Sequence, residues 1–158
     1  PTFSDMMRDS HTIYAFFRDL LSSQQFSDRI YVMGRSMGAH SAVELAAYYA
    51  ESLSGLIVES GASSMERIAD RLGEMGRAAE GVELASRHLK KIQSITLPAL
   101  IIHGAYDDLI PLTRAEEFHS LLTVTQKKLV TIPNAGHNDL LWVGRAEYFD
   151  EISAFVSL

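Results

Sequence analysis

Residues 29–42 read RIYVMGRSMGAHSA, and this stretch decides how the chain folds. Residues 30–33 form a short apolar run that contains two β-branched residues, as expected for a buried strand. Gly34-Arg35-Ser36-Met37-Gly38 follows at once, and good helix formers begin at Ala39. A Gly-x-Ser-x-Gly turn between a strand and a helix is typical of a nucleophile elbow, which lifts the serine clear of the backbone. We expect glycine at both flanking positions because larger side chains there would collide. The alternative is a glycine-rich turn that happens to contain a serine.

Composition restricts the class of protein. The 158 residues suffice for one domain with a real core, which we take as residues 1–158. A net charge of −6 without blocks of like charge argues against nucleic acid or an anionic membrane as a partner. No apolar run approaches the roughly 18 residues of a membrane span. The absence of cysteine excludes disulfides and thiolate metal sites and leaves a cytoplasmic location as the default expectation. The chain begins at Pro1 rather than methionine, so the gene product is expected to start earlier or to be processed.

Apolar runs alternate with helical patterns along the chain. The predicted strands are residues 30–33, 53–58, 97–103 and 128–132. The predicted helices are residues 4–22, 39–51, 113–122 and a last one that begins at Trp142 or Gly144 and ends at Phe155. Ser4 or Asp5 is expected to cap the first and Thr113 the third. A helical insert at about 62–95 is either a crossover between parallel strands or a lid. Strands that read as unbroken apolar runs between helices predict a parallel sheet covered on both faces.

Reactive side chains follow three of the predicted strands. Ser36 follows the first strand, Asp107 and Asp108 follow the third, and His137 follows the fourth. Parallel sheets collect their chemistry beyond the carboxyl ends of the strands. A serine hydroxyl needs an imidazole to take its proton, and the imidazole needs an acid to fix its tautomer. The sequence therefore predicts a catalytic triad of Ser36, His137 and an acid at Asp107 or Asp108.

Other residues offer alternatives to this triad. Asp107 could simply stabilise a turn, and Glu59 also follows a strand and is a rival acid. His40 is too close in sequence to turn back onto Ser36, so we expect it either at the surface or in the core. His103 lies inside a strand, so we expect it to pack rather than to react. No pair of histidines has the spacing of zinc ligands, so no metal and no cofactor are predicted.

Three segments resemble the carboxyl-terminal part of α/β-hydrolase-fold proteins, in the broad serine-hydrolase group of esterases, thioesterases and serine aminopeptidases. They are residues 34–38, residues 103–111 (HGAYDDLIP) and residues 135–137 (AGH). The second resembles the family's His-Gly-x-x-Asp-x-x-Val-Pro loop, with Ile110 in the valine position, and it puts the acid at Asp107 rather than Asp108. The resemblance implies an α/β fold with a mostly parallel sheet and helices on both faces. About four strands are present, and the amino-terminal strands of the family are missing.

The resemblance also implies an activity. It is that of a serine hydrolase, carboxylesterase-like, which cleaves an ester, thioester or amide of a small acyl substrate. The backbone N–H of Met37 would be one oxyanion donor. The family takes its second donor from a loop after an earlier strand, and that loop is missing from residues 1–33. We therefore expect this chain alone to be weakly active or inactive. An upstream segment or a second chain is expected to cover the edge of the strand Ile30–Met33.

The insert and the missing loop leave two questions open. Met65, Ile68, Leu72 and Met75 form an apolar stripe next to the site, and we predict that they face or roof the acyl pocket. The alternative to an enzyme is a non-catalytic α/β-hydrolase-like domain that binds a small molecule or a partner protein.

Overall fold

Four parallel strands form one sheet in the computed structural model, which describes residues 2–24 and 29–158. The strands are β1 (Tyr31–Arg35), β2 (Gly55–Glu59), β3 (Ala99–Gly104) and β4 (Lys127–Ile132). The helices are α1 (Phe3–Ser23), α2 (Gly38–Tyr48), α3 (Glu66–Glu74), α4 (Ala78–Ser94), α5 (Leu112–Leu121), α6 (Leu140–Val143) and α7 (Arg145–Val156). Within the two described ranges, no helix is both long and apolar enough to span a bilayer.

The strands lie side by side in chain order, β1-β2-β3-β4, and every neighbouring pair is parallel. The central strands β2 and β3 are buried at every residue. Such strands meet no water on either face, which explains why their sequences are continuous apolar runs. β1 lies at one edge of the described sheet, and the side chain of Met33 there is 46% exposed.

Helices cover both faces of the sheet, and alternate residues of each strand enter two separate cores. Leu56 and Val58 of β2 pack into the core beneath α1, α2, α4 and α5, whereas Ile57 packs into the core beneath α6 and α7. The first core also contains Val43, Ile92 and Phe118, and the second contains Ile132, Leu140, Tyr148 and Phe155. The predicted class, an α/β protein with helices on both faces of a parallel sheet, is confirmed.

Helix ends differ from the sequence prediction at three places. The cap of α1 is Thr2, whose hydroxyl accepts the Asp5 N–H at 3.1 Å while the Asp5 carboxylate accepts the Thr2 N–H at 2.8 Å. This reciprocal capping box puts Asp5 inside the first turn, so neither Ser4 nor Asp5 is the cap. α5 begins at Leu112, and its cap position is Pro111, so Thr113 lies inside the first turn instead of capping it. α2 ends at Tyr48, earlier than predicted, and after Tyr49 a short 3-10 turn covers Ala50–Ser52.

The insert between β2 and β3 contains two helices with different surroundings. α4 packs on α2 and α5 and buries His88 and Ile92, so it forms the crossover between the two strands. α3 packs on α4, and the helices approach closely at Gly81, where an added Cβ would lie 2.9 Å from the backbone of Ala69. α4 is therefore an ordinary crossover, and α3 is an outer layer upon it.

Candidate active site

A sharp turn carries the chain from β1 into α2, and Ser36 lies at its apex. Ser36 has a φ of 52°, in the left-handed region that residues other than glycine seldom adopt. Its N–H donates to the carbonyl oxygen of Glu59 at 2.9 Å, which ties the turn to the end of β2. Its own carbonyl oxygen accepts the N–H of Ala39 at 3.1 Å as α2 begins. Hydrogen bonds on both sides therefore hold the unfavourable backbone conformation in place.

The two glycines that flank Ser36 have different surroundings. A Cβ on Gly34 would lie 2.4 Å from the carbonyl oxygen of Gly38 and 2.7 Å from the Cα of Ala39, so no side chain fits. A Cβ on Gly38 would meet nothing within 4 Å beyond its chain neighbours and its own helix backbone in the described chain. The expectation that crowding requires both glycines is therefore correct for Gly34 and wrong for Gly38, which faces open space.

Ser36, Asp107 and His137 meet beyond the carboxyl ends of β1, β3 and β4. The Nδ1 of His137 lies 2.8 Å from Oδ2 of Asp107, and its Nε2 lies 3.0 Å from Oγ of Ser36. His137 is 6% exposed and Asp107 is 5% exposed. An ionised carboxylate only accepts hydrogen bonds, so the proton of the neutral imidazole lies on Nδ1 and Nε2 is left to accept from the serine hydroxyl. The structure thus brings together the three side chains that the sequence singled out.

The two carboxylate oxygens of Asp107 have different partners. Oδ1 accepts the N–H of Leu109 at 3.0 Å and that of Ile110 at 2.7 Å, the pattern of a turn-forming aspartate. Oδ2 is the oxygen that faces His137. Asp107 therefore both stabilises the turn through Oδ1 and contacts His137 through Oδ2. The neighbouring Asp108 is exposed.

Glu59, the rival acid, has other partners. Its side chain is buried, its Oε1 accepts from Nε of Arg35 at 3.0 Å, and its Oε2 accepts from the hydroxyl of Tyr148 at 2.7 Å. Burial and the Glu59 carboxylate together raise the pKa of Tyr148 above its ordinary value, which keeps the phenol a donor. The structure therefore does not bring Glu59 to Nδ1 of His137.

Three further histidines are buried, namely His40, His88 and His103. The sequence led us to expect burial of His103, and it left His40 open between surface and core. Nδ1 of His40 lies 3.1 Å from Nε2 of His88, and burial lowers the pKa of His40 to about 4 and that of His88 to about 3. Nε2 of His103 donates to the carbonyl oxygen of Ile110 at 2.8 Å and lies 3.4 Å from Oδ2 of Asp107. Across the described residues, no group of three or more His, Asp or Glu side chains is placed to hold a metal ion.

The backbone at Met37 is suited to a negative charge. Met37 directly precedes Gly38, the first residue of α2. Backbone N–H groups at the start of a helix have no acceptor within the helix, and the helix dipole is positive there. An anion that forms next to the Ser36 hydroxyl would therefore meet a favourable field.

A groove of about 1200 Å³ runs along the outer edge of β1, between α1 and the insert. Met37 lines this groove, and so do Ile68, Leu72 and Met75. Met65 is 2% exposed and is not one of the residues that line it. The structure therefore brings three of the four insert residues to the groove that Met37 borders, and Met65 lies buried elsewhere.

Arg35 is a residue near the site whose contacts the sequence analysis missed. It reaches the ends of two strands and the loop that carries His137. A signal was available, because Arg35 and Glu59 are opposite charges at the ends of consecutive apolar strands. The two residues are direct neighbours in the register of β1 and β2.

Known proteins share this architecture. The family model described as serine aminopeptidase, S33, matches residues 67–141, which include Asp107 and His137 but not Ser36. A putative alpha/beta hydrolase of Acanthamoeba polyphaga mimivirus is 40% identical over 53 residues, which cover 34% of this chain and 20% of that protein. The alpha/beta hydrolase domain-containing protein aho-3 of Caenorhabditis elegans is 26% identical over 131 residues, which cover 83% of this chain and 37% of that protein. The chain thus spans 20% and 37% of the lengths of these two relatives.

A solved structure gives the comparison in three dimensions. The monoacylglycerol lipase of Paleococcus ferrophilus matches this chain with a TM-score of 0.68 at 15% identity, over 94% of this chain and 75% of the lipase. A TM-score compares the paths of two backbones, so this likeness concerns the fold and not the side chains. The chain therefore has the α/β-hydrolase fold.

Proposed function

We propose that this protein is a serine hydrolase, carboxylesterase-like, that cleaves a small acyl ester through an acyl-enzyme; thioesters and amides are the other candidate substrates. One observation carries the proposal. The imidazole of His137 is within hydrogen-bond distance of Ser36 Oγ and of Asp107 Oδ2 at the same time, at 3.0 Å and 2.8 Å. The relatives described as alpha/beta hydrolases, and the lipase of similar fold, support the reaction class.

In the proposed reaction, Oγ of Ser36 attacks the carbonyl carbon of the ester while Nε2 of His137 takes the hydroxyl proton. Asp107 stays ionised and stabilises the imidazolium. The N–H of Met37 donates to the oxyanion. His137 then gives its proton to the leaving oxygen, the C–O bond breaks, and the acyl group stays on Ser36. A water molecule then attacks the carbonyl carbon of the acyl group while Nε2 of His137 takes its proton. The bond between the acyl carbon and Oγ of Ser36 breaks, Oγ receives the proton from His137, and the acid is released.

We assign the acyl group to the groove beside Met37. Ile68, Leu72 and Met75 would contact it, because these apolar side chains line the groove. Met65 is buried and does not line the groove, so in this proposal it does not touch the substrate.

The test is covalent labelling of Ser36 by a fluorophosphonate, combined with turnover of short-chain esters. We expect Ser36→Ala to abolish labelling, and His137→Gln and Asp107→Asn each to lower turnover by about 10³-fold or more without adding together. Asp108→Asn and Ser94→Ala are matched controls, because both residues are exposed and Ser94 ends α4, before β3 and at the opposite end of the sheet. If Asp108→Asn abolishes turnover and Asp107→Asn does not, the assigned acid is wrong.

The same experiment addresses the alternative, a non-catalytic binding domain. A folded protein that neither labels at Ser36 nor hydrolyses any ester, thioester or amide would favour the alternative. Labelling that His137→Gln removes would reject it, because a serine without a base reacts slowly with such probes.

A further inference from the structure

The side chain of Arg35 joins three parts of the site. Nη2 of Arg35 donates to the carbonyl oxygen of His137 at 2.7 Å and to Oδ1 of Asn138 at 2.7 Å. Nε of Arg35 donates to Oε1 of Glu59 at 3.0 Å. One guanidinium therefore connects the end of β1, the end of β2 and the loop that follows β4.

The Glu59 end of this connection is rigid. Glu59 is 5% exposed, lies in a central strand and accepts a second hydrogen bond from Tyr148 of α7 at 2.7 Å. Arg35 is 42% exposed at its side chain, so an isolated surface pair would hold it only weakly. Here the buried carboxylate is already fixed by Tyr148, and charge-assisted hydrogen bonds to such a partner are short and directional. Glu59 therefore fixes the position of the Arg35 guanidinium next to the loop that carries His137.

Different partners hold the ring and the backbone of His137. Asp107 holds the ring through Nδ1, and the backbone lies in a loop after β4 in which the N–H of Gly136 donates to Oδ1 of Asp139 at 2.6 Å. The Arg35 guanidinium adds the contact to the carbonyl oxygen of His137 itself. A shift of that backbone would change the 3.0 Å separation between Nε2 and Ser36 Oγ. Arg35 precedes Ser36 directly in the chain, so the backbone of the serine and the backbone of the histidine are linked through one side chain.

We propose that Arg35, supported by Glu59 and Tyr148, is a positioning residue that sets the distance between His137 and Ser36. The expected effect of Arg35 on the reaction rate rests on the proposed hydrolase function, whereas its expected effect on the geometry of His137 does not. Lysine cannot replace it, because a single ammonium cannot present parallel donors to Glu59, to a carbonyl oxygen and to Asn138 at fixed angles.

The experiment compares Arg35→Met and Arg35→Lys with Arg8→Met in the complete protein. Arg8 is an exposed arginine of α1 that pairs with Asp5 and Asp9 of its own helix, so it controls for loss of a charge. A fourth variant, Arg35→Met/Glu59→Gln, removes the positioning contacts without leaving a buried charge unpaired, and the new side-chain amide can still accept from Tyr148.

Two readouts separate positioning from stability and from activity. The first is the rate of fluorophosphonate labelling of Ser36, which is compared with the melting temperature for each variant. The second is the downfield proton resonance of the His137 Nδ1–H, assigned by its loss in His137→Gln, which needs no turnover. We expect Arg35→Met and the double variant to label about 10- to 100-fold more slowly and to broaden or lose the resonance, although the double variant recovers most of the melting temperature. Arg35→Lys should recover little, and Arg8→Met should match the wild type.

Three outcomes would overturn the proposal. They are an unchanged labelling rate and resonance in Arg35→Met, a double variant whose labelling recovers together with its stability, and a wild type that lacks the resonance. A resonance that depends on Arg35 in a protein that labels at no serine would support positioning and reject the hydrolase function. The two proposals therefore fail in distinguishable ways.

Discussion

Gly34 lies where β1 passes beneath the first turn of α2. Comparing its substitution with that of Gly38 tests at which of the two positions crowding requires glycine. Gly34→Ala would place a Cβ 2.4 Å from a backbone oxygen, so β1 and α2 must move apart. Overpacking of this kind costs about 1–3 kcal/mol of unfolding free energy. Gly38→Ala adds a Cβ to open space at the start of a helix, where alanine is the better helix former by up to about 1 kcal/mol. We expect the first variant to destabilise the protein and the second to leave it unchanged or slightly more stable.

Chemical denaturation of both variants checks this expectation. Equal losses of unfolding free energy at Gly34 and Gly38 would contradict it, and would mean that other polypeptide packs against Gly38. The sequence predicted the glycine pattern but could not distinguish the two positions. The difference arises because the residues of α2 close over Gly34 and leave Gly38 uncovered.

The residues of the candidate site were predictable to different degrees. Ser36, His137 and an acid after β3 could be chosen because a parallel sheet brings the carboxyl ends of its strands together. The choice of Asp107 rather than Asp108 came from the resemblance of residues 103–111 to a known loop. The two roles of the Asp107 carboxylate could not be separated from sequence, because they depend on which oxygen each donor reaches. The pairing of Arg35 with Glu59 had a signal in the sequence, but the contacts of Arg35 with His137 and Asn138 depend on its side-chain conformation, which no sequence pattern fixes. The catalytic roles of these residues stay predictions.

At the scale of elements, the packing of α2 on α4 makes the fold sensitive to acid. Burial lowers the pKa of His40 to about 4 and that of His88 to about 3, and the nearby His40 and Lys91 lower that of His88 further. In the unfolded chain both imidazoles titrate near the ordinary value of about 6.5. Between these values the unfolded chain binds more protons than the folded one. The unfolding free energy therefore falls as the pH falls from about 6.5 to about 4, and rises again as the pH is raised.

A double substitution tests the source of this acid sensitivity. His40→Gln/His88→Gln removes both titrating groups and keeps side chains that can hydrogen-bond to each other. We expect denaturation curves between about pH 7 and pH 4 to show a smaller loss of stability for the double variant than for the wild type. His119→Gln, a substitution on α5, is the control and should keep the wild-type pH dependence. A double variant that is as acid-sensitive as the wild type would assign the effect to other groups.

The second prediction for elements concerns α3, the outer helix of the insert. Ile68 and Leu72 line the groove that Met37 borders, so shortening them enlarges the site proposed for the acyl group. We expect Ile68→Ala/Leu72→Ala to shift the preferred ester toward longer acyl chains, with little loss of melting temperature because neither side chain is fully buried. The profile of kcat/KM against acyl-chain length measures this shift. Val82→Ala on α4, which is 70% exposed and outside the groove, is the matched control. An unaltered profile would leave α3 as a simple cover of the crossover helix.

Across the whole molecule, the sequence predicted the architecture more closely than the ends of its elements. The parallel sheet followed from β2 and β3, whose unbroken apolar runs are possible only with cover on both faces. The helix caps were less predictable, because Thr2 and Asp5 form a capping box and several nearby residues can serve as a cap. The separation of the insert into a crossover and an outer helix could not be predicted, because both helices have similar apolar stripes.

The last prediction concerns the edge of the described sheet. β1 has a hydrogen-bonded neighbour on one side only within the described residues, and Met33 is 46% exposed beside the groove. Such an edge leaves backbone donors and acceptors open to pairing with another strand. We propose that additional polypeptide covers it, and we expect residues 1–158 expressed alone to self-associate through β1 and to hydrolyse esters poorly.

Light scattering and an ester assay on residues 1–158 check this proposal. Met33→Lys places a charge at the edge and should reduce self-association, because lysine is a common means of blocking edge pairing. Val82→Lys adds the same charge at an exposed position outside the groove and should leave the association unchanged. Poor turnover is expected because the loss of one oxyanion donor typically costs about 100- to 1,000-fold. A soluble monomer with a kcat of about 1–10³ s⁻¹, the usual range of enzymes, would contradict the proposal. It would require the second oxyanion donor to lie within these residues.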